Sequence, residues 1–399
     1  MSIRKAPLKN RIKFAIQGHR PDLLILGFAI LMTLFGAMMI FDASVYKANT
    51  IFQDQFYFLK LQILWIVIGG ILATIVYFID YRKILKFSLP LLIITIVLLI
   101  TVLIIGEATN GSKRWISLGP LPPIQPAEIA KLTMIFYLSN WISKRTYKYS
   151  SLKSAIKEGF LKNMFSFVAI LLVVATLIIF EPDLGTTVII FLTSFAMFLM
   201  AGNDKTHFFG SIATILFIFP LGILAIILEP YRLERVKTFF SMIITGDVAD
   251  PRGSGYQMQQ ILIGIGSGGL LGKGFGQSRQ RFGYLVENTA FTDSIFAIVL
   301  EELGLLGGAI IIIFWLGFLW RGIRVTLNAP DREGRLLAGG ITIWLTLQTL
   351  LNIAANVGLV PLTGIPIPFL TYGGSSTIVT LIGIAILLNI SRFTKTNEK

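Results

Sequence analysis

The chain has 399 residues, 54% of them hydrophobic and only 14% charged, with a mean hydropathy of +0.76 and a net charge of +14. A soluble domain carries roughly 25% charged residues, which excludes a water-soluble globular fold, and the absence of cysteine excludes disulfides. The basic excess sits in alternate connections between apolar runs, which is a membrane pattern and argues against nucleic acid as a partner.

Those runs approach the roughly 20 residues that cross a bilayer. They are continuous, whereas a transmembrane barrel needs short alternating segments. The sequence therefore predicts an all-α polytopic membrane protein with about ten transmembrane helices, at about 22–44, 58–79, 88–106, 127–143, 164–181, 184–202, 208–229, 294–320, 336–359 and 374–391. The basic stretch "MSIRKAPLKNRIKF" precedes the first run, which is long for a signal-peptide core, and "FDAS" at its end is a poor cleavage site. It reads as a retained first helix.

Of the 35 Lys and Arg residues, 23 lie in the two tails and in connections on one side. They include Arg82, Lys83 and Lys86, six between Lys144 and Lys162, and Arg321, Arg324, Arg332 and Arg335. The positive-inside rule makes that side, and both termini, cytoplasmic. The expected organisation is one membrane domain over 1–399: a tail at 1–21, seven spans over 22–229, a large extracytoplasmic loop at 230–293, three spans over 294–391, and a tail at 392–399. Its membrane lipids are then the first expected partners.

On the outer side, "NGSKRWISLGPLPPIQPAEIAKL" comes first in chain order. Lys113, Arg114 and Trp115 combine two cations with an indole, which suits a phosphate at the lipid surface or an interfacial anchor. Glu128 and Lys131 follow at i, i+3 on one face of a span; such charges pair and mark either a pathway or a structural contact. In "FEPDLGTT", Glu181 and Asp183 fit a turn with helix capping. Arg232, Arg235 and Lys237 open the long loop on an amphipathic stretch that suits headgroups or a diphosphate.

Two motifs in that loop fail their structural tests. "GIGSGG" matches a dinucleotide fingerprint but lies between membrane spans, outside any βαβ unit. "GLLGKG" has Ser267 where the first glycine of a P-loop belongs and Gly274 where Ser or Thr is needed. The only histidines, His19 and His207, fall on the cytoplasmic side, so no zinc or Ser-His-Asp site can assemble outside. Outer-face acid–base chemistry is left to carboxylates, lysines or tyrosines. Asp293 is the candidate: it is either an N-terminal cap of the eighth span or a general base at its mouth. Glu301 lies about 80° round the helix from Asp293 and Glu302 on the opposite side, so the two glutamates are not expected to face one cleft.

The stretches "GSKRWISLG", "IQPAEIAKL", "EPDLGTT", "GYQMQQILIGIGSGGLLGKGFGQSRQRFGYL", "TDSIFAIVLEELG" and "TGIPIPFLTYGGSS" together resemble the SEDS family (shape, elongation, division and sporulation), the RodA/FtsW type, and lean toward FtsW. The resemblance implies a glycosyltransferase that polymerises lipid II into glycan strands at the outer face of the bacterial cytoplasmic (inner) membrane. It implies a class B penicillin-binding protein as partner, and lipid II and undecaprenyl-diphosphate-linked glycan as substrates. Asp293 then matches the family's loop aspartate, the proposed general base on the acceptor sugar hydroxyl. Lys113, Arg114, Trp115, Glu128, Lys131, Arg232, Arg235, Tyr372 and Ser375 become candidate substrate-binding residues. A divalent cation, magnesium or manganese, is implied at the diphosphate, with no ligand set legible. The family commonly reads "LPE.HTDFIFA"; here Val286 replaces the proline, Phe291 stands at the histidine and Ser294 at the phenylalanine. Two other readings stay open, a flippase for the lipid-linked precursor and a non-catalytic division scaffold. No internal repeat of the kind transporters use is visible.

Overall fold

The structure, a computed structural model, describes residues 20–109, 112–118, 121–145, 160–202, 205–227, 229–250, 255–282 and 289–394. His19, the connection 146–159, Val286 and the tail lysines Lys395 and Lys399 lie outside the described residues.

Thirteen helices and one small sheet are present among the described residues. In chain order they are α1 (Leu23–Phe52), α2 (Tyr57–Phe78), α3 (Tyr81–Lys86), α4 (Ser88–Ile105), β1 (Glu107–Thr109), β2 (Ser112–Leu118), β3 (Leu121–Ile124), α5 (Pro126–Ser143), α6 (Phe160–Phe180), α7 (Leu184–Leu199), α8 (Lys205–Ile227), α9 (Pro230–Thr245), α10 (Tyr256–Gly268), α11 (Ile295–Leu327), α12 (Arg332–Asn356) and α13 (Gly374–Ser391). Each apolar run read from the sequence is a helix. Seven of these are long and apolar enough to cross a membrane: α1, α2, α4, α6, α11, α12 and α13. Isoleucines such as Ile63, Ile71 and Ile75 of α2, and Ile93, Ile94 and Ile104 of α4, point away from the protein, as lipid-facing side chains do. By contrast, α12 and α13 are buried over most of their length and form the centre.

The all-α expectation needs one correction. Residues 107–124 fold into a three-stranded antiparallel sheet of order β1-β2-β3, with Ile116 opposite Ile124. Pro122 and Pro123 sit on an edge strand, where a missing N–H costs no ladder bond. The loop 230–293 also carries two helices, α9 and α10.

A second correction concerns the eighth span, which is not one straight helix. α11 breaks at Gly304, whose φ of 67° and ψ of −171° suit only glycine. The break frees backbone groups that cannot stay unpaired inside a membrane, and the glycine-rich stretch after α10 pairs with them. Lys273 N and Gly274 N donate to the carbonyls of Glu301 and Glu302, each at 3.0 Å. Leu305 N and Leu306 N donate to the carbonyls of Gly269 and Leu270, at 3.0 and 3.1 Å. Two backbones this close leave no room for side chains: a Cβ on Gly272 would lie 2.1 Å from the Glu302 carbonyl oxygen. That contact accounts for Gly272, and a Cβ on Gly268 would likewise crowd the Leu300 carbonyl.

The same stretch takes up Glu301 and Glu302, which serve a structural role away from Asp293. Glu301 accepts from Lys273 Nζ at 2.8 Å and from Ser278 Oγ at 2.6 Å, while Glu302 accepts from Ser278 N at 3.1 Å. Both therefore converge on Ser278, because the loop wraps round the helix and meets side chains on different faces. Asp42 of α1 joins them by pairing with Arg281. These buried acids hold the loop to the bundle.

Candidate active site

Six chain segments meet round a cavity of about 150 Å³. β2 contributes Arg114 and Trp115, the start of α5 contributes Gln125 and Glu128, and the start of α7 contributes Asp183 and Thr186. Thr292 and Asp293 come from just before α11, Gly364, Pro366, Tyr372 and Gly373 from the Pro-rich segment, and Ser376 from the first turn of α13. Four helices thus begin at this cavity. Only α7 carries a side-chain cap, Asp183 Oδ1 accepting from Thr186 N at 2.9 Å. The N-caps of α5, α11 and α13 (Gln125, Ser294 and Gly373) make no such bond. Unsatisfied N–H groups and aligned peptide dipoles make these ends electropositive, which favours an anion.

The three carboxylates at the cavity are held differently. Glu128 is 1% exposed and pairs with Lys131 Nζ at 2.7 Å. Lys131 also donates to Gln348 Oε1 at 2.8 Å, and Gln348 Nε2 donates to the Pro366 carbonyl at 2.8 Å. The pair therefore ties α5 to α12 and to the Pro-rich segment. Asp183 accepts from Thr186 N and Oγ1, both at 2.9 Å, and from Gln125 Nε2 at 3.3 Å.

Asp293 is the least committed. Its Oδ1 accepts from Thr292 Oγ1 at 3.0 Å, and its Oδ2 faces Gln257 Nε2 at 3.5 Å, the limit of a hydrogen bond. Its side chain does not cap α11, which starts from Ser294. Its carbonyl, in contrast, is clamped by Asn352 Nδ2 at 2.7 Å and Asn356 Nδ2 at 3.0 Å. The main chain is fixed and the carboxylate is left half-buried at the cavity. Beside it, Phe291, which stands where the family has histidine, packs at 4.6 Å from Phe58 and 5.7 Å from Tyr372, ring to ring. Its carbonyl accepts from Tyr372 N at 2.9 Å, so an apolar contact anchors the loop that carries Asp293.

The remaining predicted residues divide between the cavity and its supports. Arg114 reaches the Glu181 carbonyl through Nε at 3.0 Å and also contacts the Pro182 carbonyl, fastening the "EPD" turn while lining the cavity. Trp115 and Tyr372 line it too. Burial pushes the Tyr372 hydroxyl up to about 12, far from a base at neutral pH. Lys113 is exposed and outside the lining. Arg232 and Arg235 bond to the carbonyls of Ile179 and Leu362, at 3.0 and 2.8 Å, bracing α9 against the end of α6 and the Pro-rich segment. Ser375 accepts from Gln125 N at 3.0 Å, and its neighbour Ser376 faces the cavity instead. Glu181 is wholly buried, with no hydrogen-bond partner for either carboxylate oxygen among the described residues. Burial, then the nearby Asp183 charge, pushes its carboxyl up to about 8.

Among the described residues no three His, Cys, Asp or Glu side chains come together as a metal site. Of the cavity carboxylates, Asp183 accepts from Thr186 and Gln125, whereas Glu128 Oε2 has no hydrogen-bond partner among the described residues. Sequence reading missed Gln125, Gln257, Gln348, Asn352 and Asn356. The signal for the last two was in "LNIAANV": amides four residues apart on an apolar helix share a face, and polar groups in a membrane face the protein interior.

Fold and site together define a polytopic helical membrane protein with an acid-bearing cavity ringed by helix N-termini. Residues 22–396 match the family model FtsW/RodA/SpoVE, described as cell cycle protein, and the chain belongs to that family. It is 38% identical over 380 residues to the stage V sporulation protein E of Bacillus subtilis, covering 94% of this chain and 98% of that one. It is 38% identical over 377 residues to a probable peptidoglycan glycosyltransferase FtsW of Legionella pneumophila, covering 92% and 90% respectively. In fold it is similar to a chain from a peptidoglycan synthase complex that coordinates polymerization and crosslinking, with TM-score 0.74 and 23% identity over 93% of this chain and 98% of that one. It is also similar to the rod shape determining protein RodA of Thermus thermophilus, with TM-score 0.65 and 22% identity over 94% and 98%.

Proposed function

We propose that this protein is a peptidoglycan glycosyltransferase that polymerises lipid II at the outer face of the cytoplasmic membrane, with Asp293 as general base. The observation that carries the assignment is the state of Asp293: backbone clamped, carboxylate uncapped, and placed at a cavity ringed by helix N-termini. Ten spans with both termini in the cytoplasm follow from the charge distribution, and they put the cavity on the outer side.

In the reaction, the acceptor sugar's 4-hydroxyl gives its proton to the Asp293 carboxylate as its oxygen bonds to the anomeric carbon of the donor chain. The bond from that carbon to the undecaprenyl diphosphate oxygen breaks, and the diphosphate leaves with the electron pair. Arg114 and the uncapped starts of α5, α11 and α13 are suited to the growing negative charge. At about 150 Å³ the cavity is smaller than the roughly 300 Å³ of an ordinary ligand site. It therefore accommodates the reacting ends, and binding of whole substrates requires it to widen. A class B penicillin-binding protein is the partner that would crosslink the product.

The test is polymerisation of lipid II by the purified protein with its partner. Asp293→Asn should abolish glycan synthesis while leaving the melting temperature unchanged. Retained polymerisation in that variant refutes the base assignment. Lipid scrambling without any polymerisation by the unaltered protein would favour the flippase reading.

A further inference from the structure

A groove of about 560 Å³ lies away from the candidate active site, between α1, α2 and α13. Its floor is made of small residues, Ala29, Gly70, Ala73 and Ala385, and a Cβ added at Gly70 would meet no atom within 4 Å. Its two threonines turn their hydroxyls back onto their own helices. Thr33 Oγ1 donates to the Ala29 carbonyl at 2.6 Å and Thr74 Oγ1 to the Gly70 carbonyl at 2.7 Å. Hydroxyls satisfied in this way leave carbon facing the groove.

Length and charge indicate what fills it. Along α2 the groove runs from Ile66 to Phe78, about 18 Å of helix. The hydrocarbon of one leaflet is roughly 15 Å deep, half the core thickness. A partner's spanning helix would instead pack along roughly the full 30 Å. Tyr77 closes one end, and the Arg392 guanidinium stands 5.2 Å from its ring centroid. The acids at this end are engaged elsewhere: Asp22 pairs with Arg321 at 2.6 Å, and Asp331 with Arg82 at 2.7 Å. Arg392 has no ion-pair partner among the described residues. An apolar slot one leaflet deep therefore ends at Tyr77, over whose ring stands a cation with no ion-pair partner among the described residues.

We propose that this groove holds an acyl chain of an anionic phospholipid, with its phosphate on Arg392. The orientation proposed above makes this the cytoplasmic leaflet, while the site itself stands on the groove and its charge. The experiment uses the full chain, loaded with equal phosphatidylglycerol and phosphatidylcholine, partly delipidated and read by mass spectrometry of the retained lipid. The unaltered protein should keep the anionic lipid about fivefold over the zwitterionic one, the ratio for ~1 kcal/mol from one basic residue. Gly70→Leu fills open space and should lose both lipids, whereas Arg392→Gln should keep a lipid but lose the preference. Equal retention of the two lipids by the unaltered protein, or unchanged retention in Gly70→Leu, overturns the proposal, as does a second copy of the chain found in the groove. The readout is bound lipid, so it fails or succeeds independently of glycan synthesis.

Discussion

Replacing Gly304 with alanine places a methyl group where two backbones touch. The added Cβ would lie 2.4 Å from both Gly272 N and the Leu270 carbonyl oxygen, and neither backbone atom can rotate aside. Alanine would also have to hold a φ of 67° with ψ of −171°, a conformation that costs a side-chain-bearing residue about 1–3 kcal/mol. Separating the backbones breaks some of the four bonds between 269–274 and 301–306. Each buried group left unpaired costs about 1–3 kcal/mol. With two bonds lost, the expected destabilisation is about 3–9 kcal/mol, and at roughly 2–4 °C per kcal/mol the melting temperature falls by roughly 6 °C or more. Thermal unfolding in detergent, followed by size-exclusion chromatography, reads this directly. Gly317→Ala is the control, because a Cβ there meets nothing within 4 Å of the same helix. If Gly304→Ala melts together with Gly317→Ala, the backbone exchange does not support the broken helix.

Two other expectations concern buried charge. Lys131→Met leaves Glu128 buried without its counter-ion and should cost about 3–5 kcal/mol, while Glu128→Gln combined with Lys131→Met should recover much of that loss in a double-mutant cycle of melting temperatures. Glu181 has its carboxyl raised from 4.5 to about 8 by burial, so the folded state binds more protons than the unfolded one between those values. Stability should therefore be greatest on the acid side and decline as pH rises from about 4.5 through about 8. Glu181→Gln should flatten that decline; an unchanged pH profile would show that Glu181 gains a partner in the membrane.

Much of the site was legible because polar residues are conspicuous in an apolar chain. Arg114, Trp115, Glu128, Tyr372 and Asp293 stand out in this way, and the structure gathers all five at one cavity. The distinction between lining and support was not legible. Arg232 and Ser375 look as functional as Arg114 in the sequence, yet they bond to backbone groups and do not line the cavity. Whether a side chain meets solvent or a backbone group depends on segments more than 50 residues away, the Ile179 carbonyl for Arg232 and the Gln125 N–H for Ser375.

The sequence by itself determined the class of solvent and the class of element. Hydropathy runs of bilayer length leave helices as the economical way to satisfy a backbone in lipid, and each run is one. Only the tertiary structure decided how the exceptions are used. The periodicity of residues 294–320 is that of one helix, and nothing local to it announces a break at Gly304. The break is stable because residues 269–274, some thirty positions earlier, supply the missing hydrogen bonds. Likewise the residues round Asp293 fit a cap or a base equally well. In the structure Asn352 and Asn356 on another helix hold its carbonyl, and its carboxylate does not cap the start of α11. Hydrophobic patterning is a property of neighbours along the chain, whereas the availability of a carboxylate is set by neighbours in space.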